Sequence, residues 1–191
     1  MSSILFFDEH QAVLAASRVV LPAKVDAVSG CVIQSLRADG KVLICGNGGS
    51  AADAQHFAAE LVGRFELNRR ALPALALTTD TSALTAIAND HGYDAVFERQ
   101  VQAFAATGDV LIAISTSGNS GSVVRAARAA RERGCVVVGM TGEGGGELAA
   151  LSDHLIAVPS RTVARIQELH ELCLHAIAHA VEQALATESS S

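Results

Sequence analysis

The chain carries little charge and no cluster of it. Only 18% of its 191 residues are Asp, Glu, Lys or Arg, the formal net charge is −6, and the basic residues are scattered among the acidic ones. Binding a phosphate backbone at useful affinity wants a clustered positive face, so the composition argues against a nucleic-acid partner. The four cysteines, Cys31, Cys45, Cys135 and Cys173, form no CxxC pair. Three of them lie in apolar runs, where a thiol behaves as a small hydrophobe; a reducing, cytoplasmic compartment fits that usage. No apolar run reaches the roughly 18 residues that a membrane span requires. The opening MSSILFFDEHQ turns acidic after four apolar residues and lacks the basic n-region and small-residue cleavage site of a signal peptide. No internal repeat is visible.

What the chain does have is apolar material, half of its residues. That is enough, at this length, for one domain with a full core. So little charge on so short a chain also implies apolar surface that a partner subunit covers. From Lys41 onward the strand-type runs KVLICG, LPALALTT, DVLIAIS, CVVVGMT and HLIAVP alternate with helical patterns. Continuous apolar strands imply burial on both faces. The pattern therefore predicts an α/β fold with a five-stranded, mostly parallel, doubly wound sheet. Residues 8–38 read as helical, interrupted at Pro22, which can open a helix but not sit inside one. The expected organisation is a helical segment at 1–40, packing on the domain or on a partner subunit, and one α/β domain at 41–187. The TESSS tail is expected to be disordered.

In open α/β sheets ligands bind at the carboxyl ends of the strands. The first such loop is GNGGSAADA, residues 46–54. Its glycines let backbone amides approach a ligand, and the helix that follows offers about half a positive charge at its N-terminus. Gly46, Gly48 and Ala51 also fit a relaxed dinucleotide fingerprint, but that fingerprint wants an acidic residue about 20 positions on, at the end of the second strand, and here that strand ends well beyond, at Asp80. The third strand runs into STSGNSGS, residues 115–122. The hydroxyls of Ser115, Thr116, Ser117 and Ser120, set before a helix, make a phosphate cradle that uses no cation. Taken alone, Ser120 reads equally well as a helix cap and the others as turn residues. Two such loops on one sheet point to a phosphorylated, polyhydroxylated ligand.

His56 and Glu60 stand four residues apart, on one helical face. Their apolar neighbours Ala54, Phe57, Ala58 and Leu61 predict little open water around the pair, and a desolvated glutamate beside a histidine or a metal is a tuned base. The last helix holds RIQELHELCLH, residues 165–175, which spends Gln167, Glu168, His170, Glu171 and His175 on groups that bind metals and move protons. Of the other histidines, His10 and His154 are expected at the surface, His91 beside the Asn89–Asp90 loop, and His170 either near the site or packed in the core.

Together GNGGSAADAQHFAAEL, TAIANDHGYD, ISTSGNSGSV, GMTGEGGGEL and RIQELHELCLH resemble the sugar isomerase (SIS) family, and more closely its branch acting on heptose phosphates. The resemblance implies an aldose–ketose isomerase that converts sedoheptulose 7-phosphate to D-glycero-D-manno-heptose 7-phosphate, through an enediol-type intermediate, for lipopolysaccharide or capsule heptose. It implies that Asn47, Gly48, Gly49, Asn89 and Asp90 contact substrate, along with Glu60 and Gln167, while Ser115, Thr116, Ser117 and Ser120 hold its phosphate. It further implies one zinc per subunit on His56, Glu60, Gln167 and His175, with Glu60 and His175 as the proton-transferring pair, and a homotetramer. Some members place an aspartate three residues before the glutamine; this chain has Ala164. A related SIS protein that binds the replication initiator DnaA shares the fold and several loops, and an isomerase of another sugar phosphate also fits. Retention of Glu60, Gln167 and His175 favours the enzyme, since a binding protein needs no acid–base pair.

Gln167 and His175 are eight residues apart, about 12 Å of rise and 80° of rotation on a continuous helix, and side chains lean toward the N-terminus. One zinc is hard to reach from both. Either the helix begins only after Gln167, or the active site is assembled from different subunits, which the apolar composition favours.

Overall fold

A computed structural model of the chain describes residues 2–186; the TESSS tail and the last position of the expected domain lie outside the described residues. Two helices come first, α1 (Ile4–Val20) and α2 (Pro22–Arg37), and Pro22 opens the second as its first residue. Then strands and helices alternate: β1 (Val42–Gly46), α3 (Gly49–Val62), β2 (Ala74–Ala76), α4 (Thr81–His91), a single 3-10 turn (Tyr93–Ala95), α5 (Glu98–Phe104) and β3 (Val110–Ile114). The chain continues through α6 (Gly121–Glu132), β4 (Val136–Thr141), α7 (Gly146–Leu151) and β5 (His154–Ala157) to α8 (Val163–Ala186).

The sheet has five strands in the order β2-β1-β3-β4-β5, and every pairing is parallel. Successive side chains of a strand point to opposite faces, and both faces are covered. Val42 and Ile44 of β1, with Val110, Ile112 and Ile114 of β3, face a core closed by α2, α3 and α8. Leu43 and Cys45 of β1, with Leu111 and Ala113 of β3, face a second core closed by α5, α6 and α7. β2 is shorter than its apolar run suggests because it is an edge strand begun after Pro73, which cannot donate to a ladder.

α2 buries Val28, Val32 and Leu36 in the same core as Leu174, Ile177 and Val181 of α8. α1 is different, since Ser17 is its only buried residue and Ile4, Leu5, Phe6 and Phe7 are exposed. All four cysteines are free, three of them buried. No single described helix is long and apolar enough to cross a membrane.

The strand order places a topological switch between β1 and β3, where successive connections leave on opposite sides. Crevices at such points bind ligands outside the carboxyl ends of the strands. The loop after β1 and the loop after β3 flank that crevice, and both were singled out by their residues.

Candidate active site

At the end of β1, Asn47 lies between two partners. It accepts a hydrogen bond from the Tyr93 hydroxyl through Oδ1 at 2.8 Å and donates through Nδ2 to Ser122 Oγ at 3.0 Å. Gly48 turns the chain into α3 with φ 57° and ψ −122°, a conformation that side chains disfavour. Gly49 is glycine for a different reason: a Cβ there would stand 2.4 Å from Nε2 of Gln167. Across the crevice Ser115 Oγ lies 3.0 Å from Ser120 Oγ and 3.5 Å from Ser117 Oγ. Ser120 precedes α6 without capping it through its side chain. That leaves hydroxyls gathered around free helix amides, with Thr116 half-buried in the same turn. Asn89 and Asp90, on the last turn of α4, bond to each other at 2.8 Å and are exposed.

The second half of the site joins α3 to α8. His56 Nε2 is 3.1 Å from His175 Nε2 and 3.1 Å from Glu60 Oε1, and His175 Nε2 is 3.4 Å from the same Glu60 oxygen. Residues 119 positions apart in sequence therefore meet, and a single chain brings His56, Glu60 and His175 together. The expected dryness holds for one partner only. The Glu60 side chain is 12% exposed, whereas that of His56 is 52% exposed because the apolar neighbours turn to the core and leave the imidazole at the rim. Burial pushes the Glu60 carboxyl above its ordinary range, opposed by His175 and His56 and reinforced by Glu171.

Gln167 is not in this cluster. α8 runs unbroken from Val163 to Ala186, so the possibility that the helix begins only after Gln167 is overturned. The backbone of this segment has no proline or glycine to delay the helix. Gln167 sits two turns from His175, against Gly49.

The turn between them is occupied by Glu171, one of the metal-binding and proton-moving groups of the RIQELHELCLH stretch but not among the ligands that the resemblance implies. Its Oε1 is 3.2 Å from His56 Nε2 and 3.3 Å from His175 Nε2. The donor atoms of His56, Glu171 and His175 all lie within 4.8 Å of one another. Ligands of a tetrahedral zinc centre with bonds of ~2.0–2.1 Å are separated by roughly 3.3 Å, so the observed spacings suit a metal. Two carboxylate oxygens beside it, Glu60 Oε2 and Glu171 Oε2, are buried without a hydrogen-bond partner among the described residues. The four-residue step from Glu171 to His175 was the available signal.

Asp53, one turn before His56, was also missed. Its Oδ2 is buried and unpartnered, and its carboxyl is pushed up to about 6 by burial and by Glu171, with His56 opposing. Other side chains settle as supports. His170, fully buried, donates from Nε2 to the Thr141 carbonyl at 3.0 Å; it belongs to the core rather than to the cluster. His10, expected at the surface, is half-buried with Nδ1 2.6 Å from Glu168 Oε2, and His154, on β5, is half-buried as well.

A loop packs over the far side of His175. Glu182 on α8 is enclosed completely; it accepts backbone amides of Phe65 at 2.9 Å, Glu66 at 2.6 Å and Leu67 at 2.7 Å. Arg69 stands 3.4 Å from it and donates to the carbonyls of Glu60 at 2.6 Å and Leu61 at 2.8 Å. This clamp ties the end of α3 to α8. Residue spacing offers no sign of it, because the partners of the carboxylate are backbone groups more than a hundred positions away.

Comparison with known proteins agrees with this architecture. The SIS domain family matches residues 5–142, a stretch that ends before α8. Over 179 residues the chain is 51% identical to the phosphoheptose isomerase of Aliarcobacter butzleri, covering 94% of this chain and 95% of that protein. It is likewise 51% identical over 183 residues to the phosphoheptose isomerase of Neisseria meningitidis serogroup A, covering 94% and 92%. The solved phosphoheptose isomerase from Neisseria gonorrhoeae superposes with a TM-score of 0.89 at 47% identity, covering 94% of this chain and 96% of that one. The one from Francisella tularensis gives 0.92 at 34% identity, covering 96% and 100%.

Proposed function

This chain belongs to the SIS domain family, among its phosphoheptose isomerases, and on that footing we propose that Glu60 and His175 carry out the proton transfers. The reaction is the interconversion of sedoheptulose 7-phosphate and the corresponding aldoheptose 7-phosphate in heptose biosynthesis. It moves a proton from C1 to C2 while the carbonyl passes from C2 to C1, so it needs a base near both carbons and a proton donor and acceptor for the oxygens.

The observation that carries the assignment is the half-dry Glu60 carboxylate with one oxygen against two imidazoles. Burial raises its proton affinity, which suits a group that must take the C1 proton, keep it, and return it at C2. His175, 3.4 Å away, is placed to service the two oxygens of the enediol. Across the crevice, Ser115, Thr116, Ser117 and Ser120 with the first amides of α6 hold the phosphate, and Asn47, oriented by Tyr93 and Ser122, binds hydroxyls of the sugar. Gly48 and Gly49 contribute backbone amides, and Asn89 and Asp90 close the far side.

The metal of this reading is zinc, one per chain, held by His56 and His175 with carboxylate oxygens beside them. When bound it polarises the carbonyl as a Lewis acid and orients the two oxygens. The resemblance names Glu60 and Gln167 as further ligands. For Glu60, ligation and basicity compete; Gln167, packed on Gly49, serves substrate or the site of a neighbouring subunit. A homotetramer with sites at subunit interfaces is supported by the exposed Ile4, Leu5, Phe6 and Phe7 of α1 and by an apolar groove between α1, α2 and α8 lined by Leu14, Leu21, Val25, Leu169 and Leu172. In this reading residues 1–40 pack on the SIS domain and across that interface, and the free cysteines suit a reducing cytoplasm.

Incubation with sedoheptulose 7-phosphate, and with five- and six-carbon ketose phosphates alongside, tests the assignment. Aldoheptose phosphate formed fastest from the seven-carbon substrate supports it, and activity confined to a shorter sugar overturns it.

A further inference from the structure

Tyr93 is the single tyrosine of the chain, which has no tryptophan. It opens the 3-10 turn between α4 and α5. That turn is anchored from below, since Ala95 and Val96 are buried in the core that also holds Val123 and Ala126 of α6. The Tyr93 ring itself is exposed, so packing does not explain where it lies. Its hydroxyl is turned inward and donates to Asn47 Oδ1 at 2.8 Å, while Asn47 Nδ2 donates to Ser122 Oγ at 3.0 Å. A surface tyrosine gains little stability from such a bond, because water serves its hydroxyl nearly as well. What the bond does is hold the Asn47 carboxamide from both sides. A carboxamide offers two lone pairs and two N–H groups. With one of each engaged, one of each remains, which complements a pair of neighbouring sugar hydroxyls, each able to donate and accept. Asn47 is half-buried at the end of β1. On one side it meets Ser122, two positions after Ser120 of the phosphate cradle; on the other the chain enters α3, which carries Glu60.

We propose that Tyr93 is a positioning and specificity residue of the isomerase: by fixing Asn47 it sets the hydrogen-bonding pattern that reads the hydroxyls midway along the sugar. The inference rests on the reading above that the crevice takes a ketose phosphate. In that reading the phosphate goes to the cradle, and C1 and C2 go to Glu60, whatever the sugar. The carbons between them are where a seven-carbon chain differs from a shorter one. A group placed to bond a hydroxyl discriminates because an analogue without that hydroxyl leaves the group unpaired. Water reaches the Tyr93 ring, so its share of the discrimination is modest.

Tyr93→Phe in the full-length chain removes the hydroxyl and keeps the ring, and thermal melting is expected to stay at the wild-type value. On sedoheptulose 7-phosphate its KM is expected to rise about 2- to 10-fold, the effect of one neutral hydrogen bond, with kcat nearly kept and a smaller loss on five- and six-carbon ketose phosphates. Calorimetric binding of sedoheptulose 7-phosphate to wild type, Tyr93→Phe, Asn47→Ala and the double variant closes a cycle in which the Tyr93→Phe loss is expected to vanish once Asn47 is gone. Tyrosine fluorescence adds a readout that belongs to this ring alone: it is expected to change on addition of sedoheptulose 7-phosphate and to stay constant with inorganic phosphate. Wild-type KM in Tyr93→Phe, the same binding loss with and without Asn47, an equal loss on all three sugars, or emission that answers to inorganic phosphate as it does to the sugar overturns the inference while leaving the isomerase reading intact. A wild-type chain that turns over none of these sugars overturns both.

Discussion

The Phe65 ring lies 5.6 Å from the imidazole of His175, tilted by 31°, and is held there by Glu182, two turns further along the helix that carries His175. Replacing Glu182 with Gln puts an amide NH₂ opposite backbone donors and leaves Arg69 without its counter-charge. Breaking a buried pair in this way costs about 3–5 kcal/mol. Glu182→Gln is therefore expected to lower the melting temperature by several degrees and to reduce kcat more than it changes KM, since the loop touches His175 rather than the phosphate cradle. The loss should narrow in acid. Burial alone would raise the Glu182 carboxyl, but the three amides and Arg69 hold it below the ordinary range. Its stabilising effect is complete above the unfolded value of about 4.3 and fades as pH falls through the lower folded value.

Glu60→Gln is expected to abolish isomerisation, by at least the ~100- to 10,000-fold that acid–base catalysis supplies, while sugar phosphate binding measured by calorimetry stays close to wild type. Near-normal turnover in this variant would remove Glu60 from its role.

The phosphate cradle predicts the opposite kinetic pattern. In the proposed phosphate-binding role, Ser120→Ala and Ser115→Ala each remove a hydroxyl that would donate to a charged group, an interaction of about 1.5–3 kcal/mol. Each should raise KM ~10- to 100-fold with kcat changed little. Equal losses in kcat and kcat/KM would mean that these hydroxyls act on the reacting carbons instead.

His170 makes the fold acid-sensitive by itself. Burial drives its pKa down to about 4, with the bond to Thr141 opposing, so the folded chain keeps it neutral while an unfolded chain protonates it near pH 6.5. Stability is full above pH 6.5 and falls as the medium is acidified toward pH 4, by about 3 kcal/mol over that window. His170→Gln, which keeps a donor for the Thr141 carbonyl, should flatten the dependence of melting temperature on pH between 6.5 and 4. An unchanged slope would show that other groups set it.

The strands were legible in the sequence because a sheet buried on both faces needs apolar residues at every position, as in VLICG and VLIAI. The two strand-end loops were legible because glycines and hydroxyls there answer to local geometry. His56 and Glu60 were legible from their four-residue spacing among apolar neighbours and His175 through motif resemblance, and helix arithmetic alone separated Gln167 from His175. Glu171 was not, because a glutamate one turn from a histidine is also what any solvated helix face carries; only the approach of α3 turns it inward. The Glu182 clamp was invisible for a further reason: its partners are amides, which every residue possesses.

Gln167, Glu171, His175 and His179 recur every four residues along α8, a ladder with rungs about 6 Å apart that turns by roughly 40° at each step. Its lowest rung meets the entrance of α3, the middle two meet His56, and the highest meets the Phe65 loop, 6.4 Å from that ring. Residues on the rungs can be exchanged in the course of divergence without rebuilding the sheet, but one inserted or deleted position between Gln167 and His175 swings the histidine by about 100° away from α3. The count of residues in this helix is thus constrained along with the identity of its rungs, and variation in chain length should accumulate in the connection before it.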